Sequence, residues 1–109
     1  MADVLGAFEQ AVLMTVVRLR EEAYGRSIIR GVSDSLIRDV AAGAVYATLE
    51  RLEQKGMLRS RLGEGSSVRD GRVRRYFTIT SSGISALNEA KAAIEQIWNG
   101  AQWPLRWPV

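Results

Sequence analysis

The stretch "GAVYATLERLEQKGML", residues 43–58, decides how the rest of the chain is read. Val45, Leu49 and Leu52 recur at i, i+4 and i+7, the spacing of one buried helical face. The other side carries Tyr46, Ala47, Thr48, Arg51 and Lys55. Small residues, one tyrosine and two cations are an unusual set to leave facing water. Gly56 fits the position just past a helix end, and after it the period changes. In "MLRSRL" (57–62), Leu58, Ser60 and Leu62 oppose Arg59 and Arg61. In "VRRYFTIT" (73–80), Val73, Arg75, Phe77 and Ile79 oppose Arg74, Tyr76, Thr78 and Thr80. Alternation with period two predicts two strands. The Gly-, Ser- and charge-rich "GEGSSVRDGR" (63–72) between them predicts a hairpin with a long tip.

Working outward, "DVLGAFEQAVLMTVVRLR" (3–20) predicts a first helix, with Asp3 as a capping residue and Arg18 and Arg20 at the C-terminal end. Its stripe Leu5, Phe8, Val12, Val16 and Leu19 is widened by Leu13 and Val17, so it should be covered on more than one side. "YGRSIIRGVS" (24–33) predicts a second helix buried through Ile28, Ile29 and Val32, and residues 34–40 either prolong it or form a turn. The third helix is expected over 41–55. After the strands, residues 81–99 return to helix, capped by Thr80 or Ser81. Ile84, Leu87, Lys91, Ile94 and Trp98 trace a near-heptad stripe there, with Ala90 and Ile97 beside it. That stripe is either the seam of a homodimer or packs back on the first helix of the same chain. The tail "GAQWPLRWPV" has no period and is expected to be irregular.

Composition removes whole classes of function. The 109 residues amount to one domain, and 47% of them are hydrophobic, enough for a core. A chain of this size buries only about two thirds of its surface, which favours a second subunit. Without Cys or His there are no disulfides, thiolate nucleophiles, imidazole bases or ordinary zinc sites. The carboxylates do not converge in sequence, so no catalytic residues, metal or cofactor are expected. Met1, Ala2 and Asp3 form no basic leader, and the apolar run Ala11–Val17 is too short to span a bilayer. These features read as a cytoplasmic protein with no membrane partner.

Charge is concentrated. From Lys55 to Arg75 there are seven cations against Glu64 and Asp70, a local net of +5 in a chain whose total is +3, leaving −2 elsewhere. A basic segment on a mildly acidic body suggests a polyanion site. The order helix, helix, helix, strand, tip, strand, helix is mostly α within an α+β class. It is the layout of a winged helix-turn-helix with a two-stranded wing and a C-terminal dimerisation helix. Residues 1–80 would form the DNA-binding unit, 81–100 the dimerisation helix and 101–109 an irregular tail. In such a fold the third helix enters the major groove and the wing reaches backbone or minor groove. Gly43, Ala44 and Ala47 then allow close approach. Thr48 can hydrogen-bond a base edge or phosphate, Tyr46 can donate to a phosphate oxygen, and Arg51 can reach phosphate or guanine. Arg51 can equally pair with Glu50 or Glu53 in solvent, and Tyr46 can pack on the wing.

Four segments carry a resemblance: "AYGRSI" (23–28), "GAVYATLERLEQKGML" (43–58), "GRVRRYFTIT" (71–80) and "SSGISAL" (81–87). With the opening "LGAFEQAVLMTVVRL" (5–19), their order and spacing resemble the PadR family of bacterial transcriptional regulators across about residues 4–99. The resemblance implies a homodimer that binds palindromic double-stranded DNA, usually as a repressor. In many members a small molecule, often aromatic, relieves repression. It implies a recognition helix over Gly43–Lys55 with Tyr46 and Arg51, and a tyrosine near the DNA backbone at Tyr24. It also implies a wing signature at Gly71, Arg72, Arg75 and Tyr76; the basic run itself adds Arg69 and Arg74 as DNA-contact candidates. Tyr76 can alternatively pack on the third helix. Where members often have a serine or proline cap, this chain has "DVAAGAVY" (39–46), so the helix is expected to begin as early as Asp39.

For the dimer, the apolar residues Leu5, Phe8 and Val12 of the first helix and Ile84, Leu87, Ile94, Ile97 and Trp98 of the last are the candidates. Trp98 either fills the dimer core or stacks on a planar effector. Trp103 and Trp107 either cover the first helix or lie exposed. A second reading keeps the winged fold but makes it a protein–protein module that reads no DNA.

Overall fold

The first helix, α1 (Ala7–Leu19), is the centre of the molecule because it is apolar on more than one side. In the computed structural model, which describes residues 4–63 and 73–108, the other elements wrap around it. A 3₁₀ turn (Arg20–Glu22) leads to α2 (Gly25–Leu36) and α3 (Ala42–Gln54). A hairpin of β1 (Leu58–Leu62) and β2 (Arg75–Ile79) follows, and then α4 (Ser81–Ile97). α2, α3, α4 and β2 all pack on α1. Val12, Leu13, Thr15 and Val16 of α1 meet Ile28, Val32, Val45, Leu49, Leu52, Leu58, Phe77 and Ala90 in one core. The winged helix-turn-helix layout expected from the sequence is the one observed.

Local chemistry explains the boundaries, and several differ from the sequence expectation. α1 starts at Ala7 rather than near Asp3, which lies outside the described residues. Gly6 precedes it in extended backbone, and its N–H donates to Glu9 Oε1 at 3.2 Å, satisfying one of the helix's orphan donors. Residues 34–36 prolong α2, which closes on Ile37 in the left-handed region. The start of α3 at Asp39 is not observed. Residues 39–41 are extended or irregular and α3 opens at Ala42 without a side-chain cap. At its other end Gly56 has φ +78°, a conformation that glycine adopts without a Cβ penalty. Thr80 caps α4 by accepting the Gly83 N–H at 3.2 Å.

The hairpin is antiparallel, with Leu58 opposite Ile79, Ser60 opposite Phe77 and Arg61 opposite Tyr76. Leu58 and Phe77 plug its base into the core, whereas Leu62 near the tip is exposed. Val73, expected within the second strand, precedes it and is exposed. A single bridge joins Tyr24 to Tyr76, and the Phe77 N–H donates to the Ala23 carbonyl at 2.8 Å. The wing base is thereby hydrogen-bonded to the start of α2. Beyond Ile97 the chain is irregular and exposed through Pro108. Among the described residues, no helix is long and apolar enough to cross a membrane.

Candidate nucleic-acid interface

α3 presents its outer face along one straight stripe. The buried side is Val45, Thr48, Leu49 and Leu52. Diametrically opposite, at 3.6 residues per turn, run Gly43, Ala47, Glu50 and Gln54, all exposed. Tyr46 lies on the flank toward α2. Its ring sits over the Gly25 backbone, where an added Cβ would come 2.6 Å from the tyrosine Oη. Gly25 therefore admits the tyrosine that a larger residue would displace, and Tyr46 stays 52% exposed. Arg51 and Lys55 lie on the opposite flank, toward α1.

Thr48 does not belong to the outer face. It is 3% exposed and its hydroxyl accepts from Arg51 Nη2 at 3.4 Å, so it packs inward under the arginine. Arg51 pairs with neither Glu50 nor Glu53. Its Nε and the Lys55 Nζ each lie 3.6 Å from Glu9 Oε2, a carboxylate forty-odd residues earlier in the chain. Nothing in the local sequence of α3 announces that partner. Its signal is only a lone acidic residue in the first turn of an apolar helix. Glu53 Oε2 instead accepts a hydrogen bond from the Ser60 hydroxyl at 2.6 Å, and Arg75 Nη1 donates to the same Ser60 oxygen at 2.9 Å. These two bonds tie the end of α3 to the wing.

Aromatic stacking sets the wing's orientation. Tyr24 and Tyr76 meet edge to face, with centroids 5.7 Å apart. The Arg74 guanidinium lies 4.1 Å above the Tyr24 ring, and that of Arg61 5.0 Å above Tyr76. Tyr76 thus packs on Tyr24. Tyr24 is half-buried in this ladder. Arg74 and Arg75 share the wing stem with the exposed Arg59, giving it a run of positive charge beside α3. Arg69 and Arg72, together with Gly71, lie outside the described residues. Gly43, Ala44 and Ala47 are exposed with no bulk above them, as a close approach requires. An open trench beside them is lined by Phe8, Arg38, Val40, Ala44, Ala47 and Arg51.

The apolar residues assigned to a second subunit divide into two groups. Val12 is 0% exposed and Leu5 is buried, both inside the chain's own core, so neither offers a side chain to a partner. Phe8 and Leu87 are partly buried against that core. Ile84, Ile94, Ile97 and Trp98 are exposed along α4, Ile97 to 75%. Trp103 and Trp107 do not cover α1 but lie exposed in the tail. Among the described residues, no group of three or more acidic or thiol side chains could hold a metal ion.

Three helices with an exposed third, followed by a basic two-stranded wing fixed to the second, define a winged helix-turn-helix of the DNA-binding type. The sequence matches the model of the transcriptional regulator PadR-like family over residues 12–89. The chain belongs to that family, whose members are transcriptional regulators and not enzymes. It is 41% identical over 58 residues to the transcriptional regulator Rv3488 of Mycobacterium tuberculosis, a match covering 53% of this chain and 50% of that relative. A PadR family transcription regulator from Clostridium difficile R20291 superposes with a TM-score of 0.68 at 21% identity, over 86% of this chain and 96% of that one. Bordetella bronchiseptica BpsR, whose DNA binding is regulated by 6-hydroxynicotinic acid, superposes with a TM-score of 0.67 at 19% identity, over 97% and 72% of the two chains.

Proposed function

We propose that the protein is a homodimeric, sequence-specific repressor that docks α3 in the major groove of a palindromic operator and lays its wing along the backbone or the minor groove. The observation that carries this reading is the pairing of a small-residue opening on α3 (Gly43, Ala44, Ala47) with the basic stem of the wing (Arg59, Arg74, Arg75). The first lets backbone and groove approach closely. The second supplies the phosphate contacts that fix register. The exposed apolar line Ile84, Ile94, Ile97 and Trp98 on α4 supports a dimer seam. Two protomers would place their recognition helices about one helical turn of DNA apart, roughly 34 Å. Trp98, at the end of that seam, is the residue we assign to a small planar effector. The regulation of BpsR by 6-hydroxynicotinic acid supports a ligand of that class.

The test is fluorescence anisotropy on duplex from upstream of the protein's own gene, against random duplex, across a salt series. Specific binding should be steeply salt-dependent, about −0.9 in slope for each phosphate neutralised. Arg74→Glu with Arg75→Glu should abolish it while leaving the dimer intact. The exposed Trp103 and Trp107 favour the second reading, a protein-binding winged helix. Weak, equal binding to every duplex would favour that module instead.

A further inference from the structure

We propose that Glu9 is a built-in competitor for the DNA backbone, an internal stand-in for a phosphate that holds Arg51 and Lys55 back until the operator displaces it. The inference rests on the DNA-binding reading above and adds a regulator of that same surface. The geometry is specific. One carboxylate oxygen, Glu9 Oε2, lies 3.6 Å from both the Arg51 Nε and the Lys55 Nζ. The other oxygen accepts the Gly6 N–H at 3.2 Å, so the carboxylate is fixed at the first turn of α1. Glu9 is only 18% exposed, whereas the cations are half exposed at 50% and 49%. The acid is the anchored member and the cations are the ones free to leave.

Arg51 and Lys55 are four residues apart and share one flank of α3. That flank is turned away from the central stripe of Gly43, Ala47, Glu50 and Gln54, toward where a groove wall would pass. Two cations on one carboxylate keep a net positive charge, so DNA still attracts them. Their exchange from Glu9 to phosphate is nevertheless an added cost of every encounter. A deeply seated helix repays that cost with its other contacts, and a loosely docked one does not. A loosely docked complex thereby leaves both cations on Glu9, and only the seated complex carries them to phosphate. A purely structural role is a poor fit, since half-exposed ion pairs contribute little to stability.

The experiment compares wild type with Glu9→Gln by anisotropy on the upstream duplex and on random duplex across a salt series. Both are repeated in an Arg51→Ala/Lys55→Ala background. Glutamine keeps an acceptor for Gly6 and removes the charge. Glu9→Ala is the second variant, and melting curves check that each is folded. On random duplex the expected result is a slope of log K against log salt steeper by about 0.9 to 1.8, one or two added phosphate contacts, whereas on the upstream duplex, where wild type already makes those contacts, the slope stays the same. Both duplexes should bind tighter at low salt, the upstream duplex by about two- to fivefold, the scale of an exposed ion pair, and random duplex by no more than that. Both effects should vanish in the Arg51→Ala/Lys55→Ala background. An unchanged slope on random duplex, weaker binding, or a gain that persists without the two cations overturns the proposal while leaving DNA binding intact. If neither wild type nor variant binds any duplex in a salt-dependent way, the DNA reading itself fails, and the competitor role with it.

Discussion

Tyr24 separates two roles that the fold allows it, and the separation can be measured. The ring is held edge to face by Tyr76 at 5.7 Å and covered by the Arg74 guanidinium at 4.1 Å. Removing the ring as Tyr24→Ala forfeits the aromatic pair, about 0.5–1.5 kcal/mol. It also forfeits the cation–π contact, about 0.5–1 kcal/mol at a site this open. Burial of the half-exposed ring adds roughly 1 kcal/mol. The sum is about 2–3.5 kcal/mol. For a domain near this size each kcal/mol moves Tm by about 4–8 °C, so the expected fall is on the order of 10–20 °C. The backbone bond from the Phe77 N–H to the Ala23 carbonyl survives the change. The wing therefore stays attached but Arg74 loses its platform. Tyr24→Phe keeps ring, pair and platform, so its Tm should match wild type. If the hydroxyl also reaches a phosphate, Tyr24→Phe should weaken operator binding by about tenfold, the value of a hydrogen bond to a charged group. Circular dichroism melts at one protomer concentration, with anisotropy on the operator, read both quantities. A Tyr24→Ala protein that melts with wild type would refute the ladder as the wing's support.

Three further changes probe separate layers. In Gly31→Ala the new Cβ would stand 2.5 Å from Thr15 Cγ2, against an ordinary carbon contact of about 3.5–4.0 Å. The methyl is held in place because the Thr15 hydroxyl donates to the Ala11 carbonyl at 2.7 Å. Overpacking of about 1–3 kcal/mol should outweigh the roughly 1 kcal/mol gained by replacing a helical glycine. Urea titration should show a net loss that disappears in a Thr15→Ser background, and a Gly31→Ala protein stabilised on its own would contradict the crossing of α1 and α2. Thr48→Val should leave operator affinity within about twofold, since the hydroxyl points inward; a large loss by anisotropy would put Thr48 back on the DNA face. Ile94→Glu should give monomers by sedimentation, and an intact dimer would move the seam away from α4.

Much of the fold was legible because period is a local property. The 3.6-residue repeats of α1 to α4, the alternation of the wing and the turn at Gly56 all sit within a few residues of one another. Boundaries were less legible. α1 starts at Ala7, where Glu9 reaches back to the Gly6 N–H. The misplaced Thr48 had a readable signal. Val45, Leu49 and Leu52 occupy i, i+4 and i+7, and position 48 is the i+3 slot of the same stripe. A threonine there can bury its methyl and give its oxygen to Arg51. Val12 and Leu5 read as outward-facing because the apolar residues at the start of the chain all look alike in sequence. Only the packing of α2, α3, α4 and β2 around that helix decides which ones the chain keeps for itself.

The site was harder to read than the fold because its charges are arranged by contacts distant in sequence. Listed by residue type, α3 offers Arg51 and Lys55 as its DNA contacts. Placed in space, both are on the flank beside Glu9, Tyr46 leans over Gly25, and the centre of the face holds Gly43, Ala47, Glu50 and Gln54. On the proposed reading, this divides the work of recognition. Affinity comes from cations on the flanks and on the wing stem, where phosphates pass. Close approach comes from glycine and alanine at the front of the helix. Glu50, a carboxylate on the central stripe, can only accept hydrogen bonds, and toward a base edge that favours an exocyclic amino group such as cytosine N4. An acid at the centre with cations at the edges penalises any docking that is not centred in the groove, so the charge pattern itself contributes to register.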